Sequence, residues 1–241
     1  MNDASTLWTV AFSAALLLGV LTKLYLSGRQ VRHVALHRDR VPPAFADKIP
    51  LAAHQKAADY TLAKSRLATV ELALGTAVLL GWTLLGGLGL LDQWIRASGL
   101  GQGSPLLAQV ALVAAFALIG GLLDLPLSWY STFRLEERFG FNKTTPALWL
   151  ADLLKSSLVG ALIGLPIVAL IVWLMGSTGA LWWLWAWVVW MGFNLLILVL
   201  YPTVIAPLFN QFEPLQDESL KARVTALMQR CGFSAKGLFV M

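Results

Sequence analysis

The sequence predicts an all-α membrane protein, with five transmembrane helices, long cytosolic helical extensions and, after them, the first elements of a soluble domain. Three observations predict it. Of the 241 residues, 58% are hydrophobic and 13% charged, with a mean hydropathy of +0.70, far from the composition of soluble domains. Apolar stretches at 7–26, 67–91, 106–130, 153–175 and 180–201 approach or exceed the ~20 residues that a helix needs to cross the hydrocarbon core. Basic residues alternate between the connections, with eight in 27–66, only Arg96 in 92–105, three in 131–152, none in 176–179 and four after 201. The positive-inside rule then puts the N-terminus outside and the 27–66 segment, the 131–152 segment and the tail in the cytosol.

The elements follow in order. The first apolar run has no basic region ahead of it and is too long for a signal-peptide core, so it is expected to be a retained anchor. Lys23 and Glu71 fall near the cytosolic ends of their helices, where long side chains snorkel to the interface. After Pro50, "LAAHQKAADYTLAKSRLATVELALG" holds no breaker, which predicts one long helix climbing from the cytosol into the bilayer. Gly-rich centres in the second and third spans, "GTAVLLGWTLLGGLG" and "FALIGGLLD", let helix backbones approach closely.

Ser104-Pro105 and Thr145-Pro146 each place a capping side chain before a proline at the first helical position, so helices are expected to start near 105 and 146. Pro126 and Pro166 fall inside those helices and predict kinks. Gly140 is the expected stop of the third helix, with Phe141 packing back. The "WWLWAW" at 182–187 suits the outer headgroup level. In the tail, "QDESLKARVTALMQRCG" reads as an amphipathic soluble helix with Asp217 and Glu218 in its first turn and Gly232 as its stop. Leu238 to Met241 then reads as the opening of a strand.

These features bound function. A pI near 9.6 would suit nucleic acid, but the excess charge lies in short cytosolic segments as topology requires, so no nucleic-acid partner is expected and the lipid bilayer is. The single Cys231 excludes an internal disulfide. His33 and His37 have the four-residue spacing of a zinc-binding pair, but Val34 stands where a metalloprotease needs its Glu, and Arg32, Arg38 and Arg40 would repel a cation. A plain basic segment is the favoured reading. Asp124 lies within the third span, and at that depth a carboxylate faces either a water-filled cavity or a partner helix. Tyr130, Arg134 and Glu137 share one face at i, i+4 and i+7, and Asp152 and Lys155 sit at i, i+3 where the next helix enters the bilayer. That pattern fits a clamp between helix ends, and it fits a solvated surface network too.

The motifs "FRLEERFGFNKTT", "WLADLLK", "YPTVIAPLFNQFEPLQDESLK" and "CGFSAKGLFVM", with "VPPAF" at 41–45 and "HQKAADYTLAKSR" at 54–66, occur in this order along essentially the whole chain. Together they resemble the N-terminal membrane part of the type I CAAX prenyl proteases, integral-membrane zinc metalloendopeptidases. The resemblance implies seven transmembrane helices around a water-filled chamber, with zinc held from the cytosolic side on an H-E-x-x-H helix and by a further Glu. It implies that Tyr130, Arg134, Glu137, Asn142, Asp152 and Lys155 form scaffold at the cytosolic face and that Asp124 is a candidate for the chamber wall. Pro207, Asn210 and Pro214 would link the fifth span to the protease domain.

On this basis residues 1–209 are expected to form the transmembrane domain, and 210–241 the linker, amphipathic helix and first strand of a truncated protease domain. His33, His37 and His54 are the only histidines and no H-E-x-x-H is present, so no catalytic residue, metal ligand or cofactor is assigned within this chain. Zinc is expected in the full-length family enzyme, and this chain alone is expected to be inactive. The implied partner is a membrane-associated peptide or protein substrate, prenylated or not, and the implied location is a bacterial cytoplasmic membrane. The other reading is a non-catalytic multi-span protein, a transporter subunit or scaffold, that reuses this domain.

Overall fold

The computed structural model describes residues 3–100, 103–209, 213–233 and 237–240. Nearly all of them are helical, and the chain divides into two compact units, Met1–Leu150 and Ala151–Met241. Helices α1 (Asp3–Leu36) and α2 (Leu51–Thr83) lie antiparallel in the first unit. Lys23, Leu24 and Ser27 stand beside Ala68, Thr69 and Leu72 at one level, and His54 reaches the His37 carbonyl near the other. Pro42 and Pro43 fix the 3-10 turn Pro43–Phe45 between them, and Pro50 caps the entry to α2. The helix expected from Leu51 is therefore present over 33 residues.

The apolar stretch 67–91 is not one straight helix. At the end of α2 the Leu85 N–H donates to the Leu80 carbonyl at 3.0 Å, Gly86 takes φ +79°, and α3 (Gly87–Ala97) departs at a bend of 57°. Only glycine adopts that left-handed conformation without a Cβ penalty, so the Gly-rich run that was read as a contact face also ends a helix. Helix α3 buries Leu91 and Ile95, four residues apart, and Ile95 is the most enclosed large side chain described, 1% exposed.

Helix α4 (Pro105–Phe139) begins where expected. The Ser104 hydroxyl accepts from the Leu107 N–H at 3.4 Å, ahead of Pro105 at the first helical position. It is α-helical to Tyr130, widens into a π turn over Ser131–Glu136, and closes with Glu137–Phe139 before Gly140 at φ +80°. The Phe141 N–H returns to the Glu136 carbonyl at 2.9 Å. Thr145 caps α5 (Pro146–Ser177) by accepting from the Leu148 N–H at 3.3 Å. Pro126 and Pro166 both sit inside continuous helix.

In the second unit, α6 (Gly179–Phe209) opens with the 3-10 turn Gly179–Leu181 and contains a second π turn at Tyr201–Ile205, where Pro202 supplies no N–H. Ser156, Gly160 and Gly164 of α5 face Phe193, Ile197 and Tyr201 of α6 across a cleft of about 570 Å³. Beyond α6, α7 (Glu218–Arg230) is capped by Asp217, whose carboxylate accepts from the Leu220 N–H at 3.0 Å. Two short strands flank α7, β1 (Glu213–Pro214) and β2 (Phe239–Val240), paired antiparallel. The strand read from Leu238 onward thus has a partner that a two-residue segment containing proline did not announce.

Among the described residues α1, α4, α5 and α6 are each long and apolar enough to cross a bilayer, and α2 with α3 makes a fifth if the bent pair is one span. This is an integral, multi-pass membrane fold.

Candidate functional site

The polar chemistry of the first unit gathers where α1, α2 and the end of α4 leave their apolar stretches. At the α1–α2 apex, Arg38 forks onto Asp59, with Nε 2.7 Å from Oδ1 and Nη2 2.8 Å from Oδ2. Its remaining nitrogen donates to Asp39 at 2.9 Å, and Gln55 donates to the same Asp39 oxygen at 2.7 Å. The two-pronged guanidinium matches the carboxylate plane, which makes this the strong form of an ion pair. Asp59 lies on the α2 extension ahead of the apolar stretch, and the Arg38 hydrogen bonds hold its carboxyl below the usual range.

All three histidines collect at this apex. His33 and His37 have ring centroids 4.2 Å apart. The His37 Nδ1–H donates to the His33 carbonyl at 2.8 Å and the His54 Nε2–H to the His37 carbonyl at 2.9 Å. Each carbonyl contact fixes that nitrogen as the protonated one. Arg40 lines the same cavity of about 550 Å³. Zinc does not fit here: two ring nitrogens are occupied by carbonyls, a guanidinium stands beside them, and among the described residues no group of three His, Cys, Asp or Glu is arranged to hold a metal.

The second polar junction joins α2 to α4. The Tyr60 hydroxyl donates to Glu136 Oε1 at 2.7 Å, and its ring stands edge-on to Phe139 at 5.2 Å and Phe141 at 5.0 Å. Lys56 lies 5.8 Å from the Phe141 ring and Lys64 lies 5.5 Å from the Tyr60 ring. Beneath them Ala58, Leu67, Leu135 and Phe139 are buried. A second aromatic group, Trp129 with Phe133 at 4.2 Å and with Trp149 at 5.3 Å, ties α4 to the first turn of α5.

The residues singled out from sequence distribute as follows. Tyr130 and Arg134 line one cleft between α2 and α4, whereas Glu137 is exposed outside it. Asn142 accepts from the Thr144 N–H at 2.8 Å and so shapes the turn between α4 and α5. Asp124 is exposed on α4, with no described hydrogen bond or ion pair. Asp152 is half-buried and Lys155 exposed in the second unit, and neither belongs to a described ion pair. Pro207 lies in the last turn of α6 and Pro214 in β1. Asn210 lies outside the described residues. Sequence reasoning passed over Arg38, Asp59, Tyr60 and Glu136. Tyr60 and Glu136 are 76 positions apart, and no periodicity within one helix signals such a pair.

Residues 30–211 match the family model described as CAAX prenyl protease N-terminal, five membrane helices. The CAAX prenyl protease 1 homolog of Oryza sativa subsp. japonica is 31% identical over 232 residues, covering 94% of this chain and 54% of the rice protein. CAAX prenyl protease 1 of Saccharomyces cerevisiae is 30% identical over 226 residues, covering 90% of this chain and 49% of its own. The crystal structure of S. mikatae Ste24p superposes with a TM-score of 0.85 at 28% identity, over 96% of this chain and 55% of that one. The chain spans about half the length of these relatives.

Proposed function

The chain belongs to the CAAX prenyl protease N-terminal family, and from that premise we propose that it is the membrane-spanning portion of a zinc metalloendopeptidase. In this reading residues 1–209 form part of the wall of an intramembrane chamber that admits a membrane-associated peptide, the prenylated CAAX sequence in the relatives' name being the substrate of choice. Residues 210–241 lead through Pro207, Asn210 and Pro214 toward a protease domain whose residues supply the zinc site. The match over 30–211 carries the proposal.

The parts given to this chain are structural. Tyr60, Glu136 and the aromatic rings around them hold the end of α4 against α2 at the bilayer boundary. Tyr130, Arg134, Glu137, Asn142, Asp152 and Lys155 belong to the cytosolic-face scaffold, and Asp124 to the chamber wall. The N-terminus lies outside and the α1–α2 apex in the cytosol, as the Lys and Arg distribution requires.

A chimera tests the function. This chain, fused ahead of the C-terminal half of the Saccharomyces cerevisiae relative, is expected to give membranes that cleave a prenylated CAAX peptide, while the chain alone cleaves none and retains no stoichiometric zinc. A chimera that inserts normally but cleaves nothing, beside a yeast protein that is active under the same conditions, would overturn the proposal. Topology has its own test. In a Cys231→Ser background, a cysteine at Gly103 is expected to react with an impermeant reagent from outside and one at Asp47 only after permeabilisation; the opposite pattern reverses the orientation.

A further inference from the structure

Between α2 and α4 lies a cleft of about 400 Å³ lined by Ala63, Arg66, Leu67, Val70, Leu127, Tyr130, Arg134, Leu135, Arg138 and Phe139. Its position along the bilayer normal follows from sequence. The apolar stretch of α2 begins at Leu67 and that of α4 ends at Tyr130, so the cleft straddles the membrane boundary. Leu67, Val70 and Leu127 lie on its hydrocarbon side, Leu135 and Phe139 form a buried floor, and Arg66, Arg134 and Arg138 stand on its aqueous side.

Three guanidinium groups converge on one cleft, all of them on exposed residues, and among the described residues none of them is in an ion pair. Carboxylates on the same two helices are committed elsewhere, Glu136 to the Tyr60 hydroxyl and Asp59 to Arg38. Arg138 lies 5.6 Å from the Phe139 ring, an arrangement that leaves its N–H donors available. Like charges gathered around a partly apolar hollow repel one another, and an anion with several acceptor oxygens relieves that repulsion. Phosphate is the group whose geometry the forked guanidinium fits.

We propose that this cleft binds the phosphate headgroup of an anionic phospholipid, with its acyl chains along Leu67, Val70 and Leu127. The location decides for a lipid over a soluble anion: the guanidinium side opens at the headgroup level and the apolar side continues into the bilayer core. The Tyr130 hydroxyl adds a neutral donor at the same level. A bound lipid would bridge α2 and α4 beside the Tyr60–Glu136 contact, so the lipid is also a clamp on the junction. The proposal holds whether or not the chain serves a protease.

The test uses the whole chain purified in a neutral detergent, with native mass spectrometry counting retained lipid and thermal unfolding reading its effect. Phosphatidylglycerol is expected to be retained as one adduct and to raise the melting temperature, whereas phosphatidylcholine is retained about tenfold more weakly. The triple change Arg66→Gln, Arg134→Gln, Arg138→Gln is expected to lower phosphatidylglycerol affinity about tenfold and to abolish the thermal shift. Should the triple variant not fold, Arg138→Gln alone decides, since Arg138 is exposed and its loss is expected to weaken binding about threefold. Removing equal charge at the apex with Arg29→Gln, Arg32→Gln and Arg40→Gln is expected to leave retention unchanged. Equal retention of phosphatidylcholine, or an equal loss in the apex variant, would overturn the site. Inorganic phosphate that binds as tightly as the lipid would overturn the choice of ligand.

Discussion

The two compact units bury their side chains very differently. Of the buried hydrophobic side chains among the described residues, Ala58, Leu67, Leu91, Ile95, Leu135 and Phe139 belong to the first unit and Leu174 alone to the second. The first unit also carries the long-range polar contacts, Arg38 to Asp59 and Tyr60 to Glu136, whereas the ion pair of the second unit joins Glu218 to Lys221 within one turn of α7. A helical membrane unit can thus be fixed in two ways. In the first, aromatic and ionic junctions outside the apolar stretches determine how the helices meet. In the second, α5 and α6 meet through small residues and leave Leu158, Leu162, Trp183, Trp187 and Leu198 exposed for a surrounding apolar medium.

If this contrast is right, the largest effect comes from the α2–α4 junction. Phe139→Ala removes a buried ring against Tyr60, and a loss of about 3–5 kcal/mol is expected, read as a fall in the thermal midpoint in detergent and in the yield of monodisperse protein. Leu174→Ala in the second unit should cost about 2 kcal/mol, at the low end for a buried leucine, since its surroundings are less enclosed. Equal losses from both substitutions would erase the distinction between the units.

A smaller effect isolates the polar part of the junction. Tyr60→Phe keeps the edge-on ring contacts but removes the hydroxyl donor to Glu136, and about 1 kcal/mol should be lost. Because Glu136 is the acceptor, Glu136→Gln in the Tyr60→Phe background should cost little more. A fully additive second loss in that double-mutant cycle would show that the two groups act separately.

The subtlest expectation concerns pH. Asp59 is held low by its hydrogen bonds to Arg38, and Asp217 by hydrogen bonds from the Ser219 hydroxyl and the Leu220 N–H. A carboxyl whose folded value lies below its unfolded value of about 3.9 stabilises fully above that value, and the contribution is lost as pH falls through the folded value. The thermal midpoint should therefore be flat from neutrality to about pH 5 and decline below about pH 4. Asp59→Asn should lower the neutral midpoint and make the acid decline shallower, whereas Asp217→Asn, which keeps a capping oxygen, should leave the midpoint nearly unmoved. An acid decline untouched by Asp59→Asn would remove the apex ion pair from the account.

What was legible in the sequence is what a few consecutive residues decide. Ser104-Pro105, Thr145-Pro146, Asp217 and the glycines at 140 and 232 mark helix ends because a cap or a left-handed residue acts within one turn. The five apolar stretches were legible because each crosses the bilayer by its own composition. The bend at Gly86 was not, since "GGLG" suits close helix packing as well as helix termination and only the surrounding contacts choose. Nor were the three-arginine cleft and the β1–β2 pairing, which join residues far apart in the chain: Arg66 with Arg134 and Arg138, Pro214 with Phe239.

The π turn at Ser131–Glu136 makes the end of α4 sensitive to chain length in a way that its composition does not reveal. An i→i+5 turn is one residue of slack held within a helix without opening a loop. Deleting Thr132 would let the ladder close as ordinary α-helix and turn everything beyond it by roughly 100° about the axis. Leu135, Glu136 and Phe139 would then leave α2 together, although no side chain that touches α2 had been changed. Substitutions in this stretch should be forgiven more readily than single-residue gaps, so family members that keep the junction should keep the spacing from Tyr130 to Gly140 even where the residues between differ.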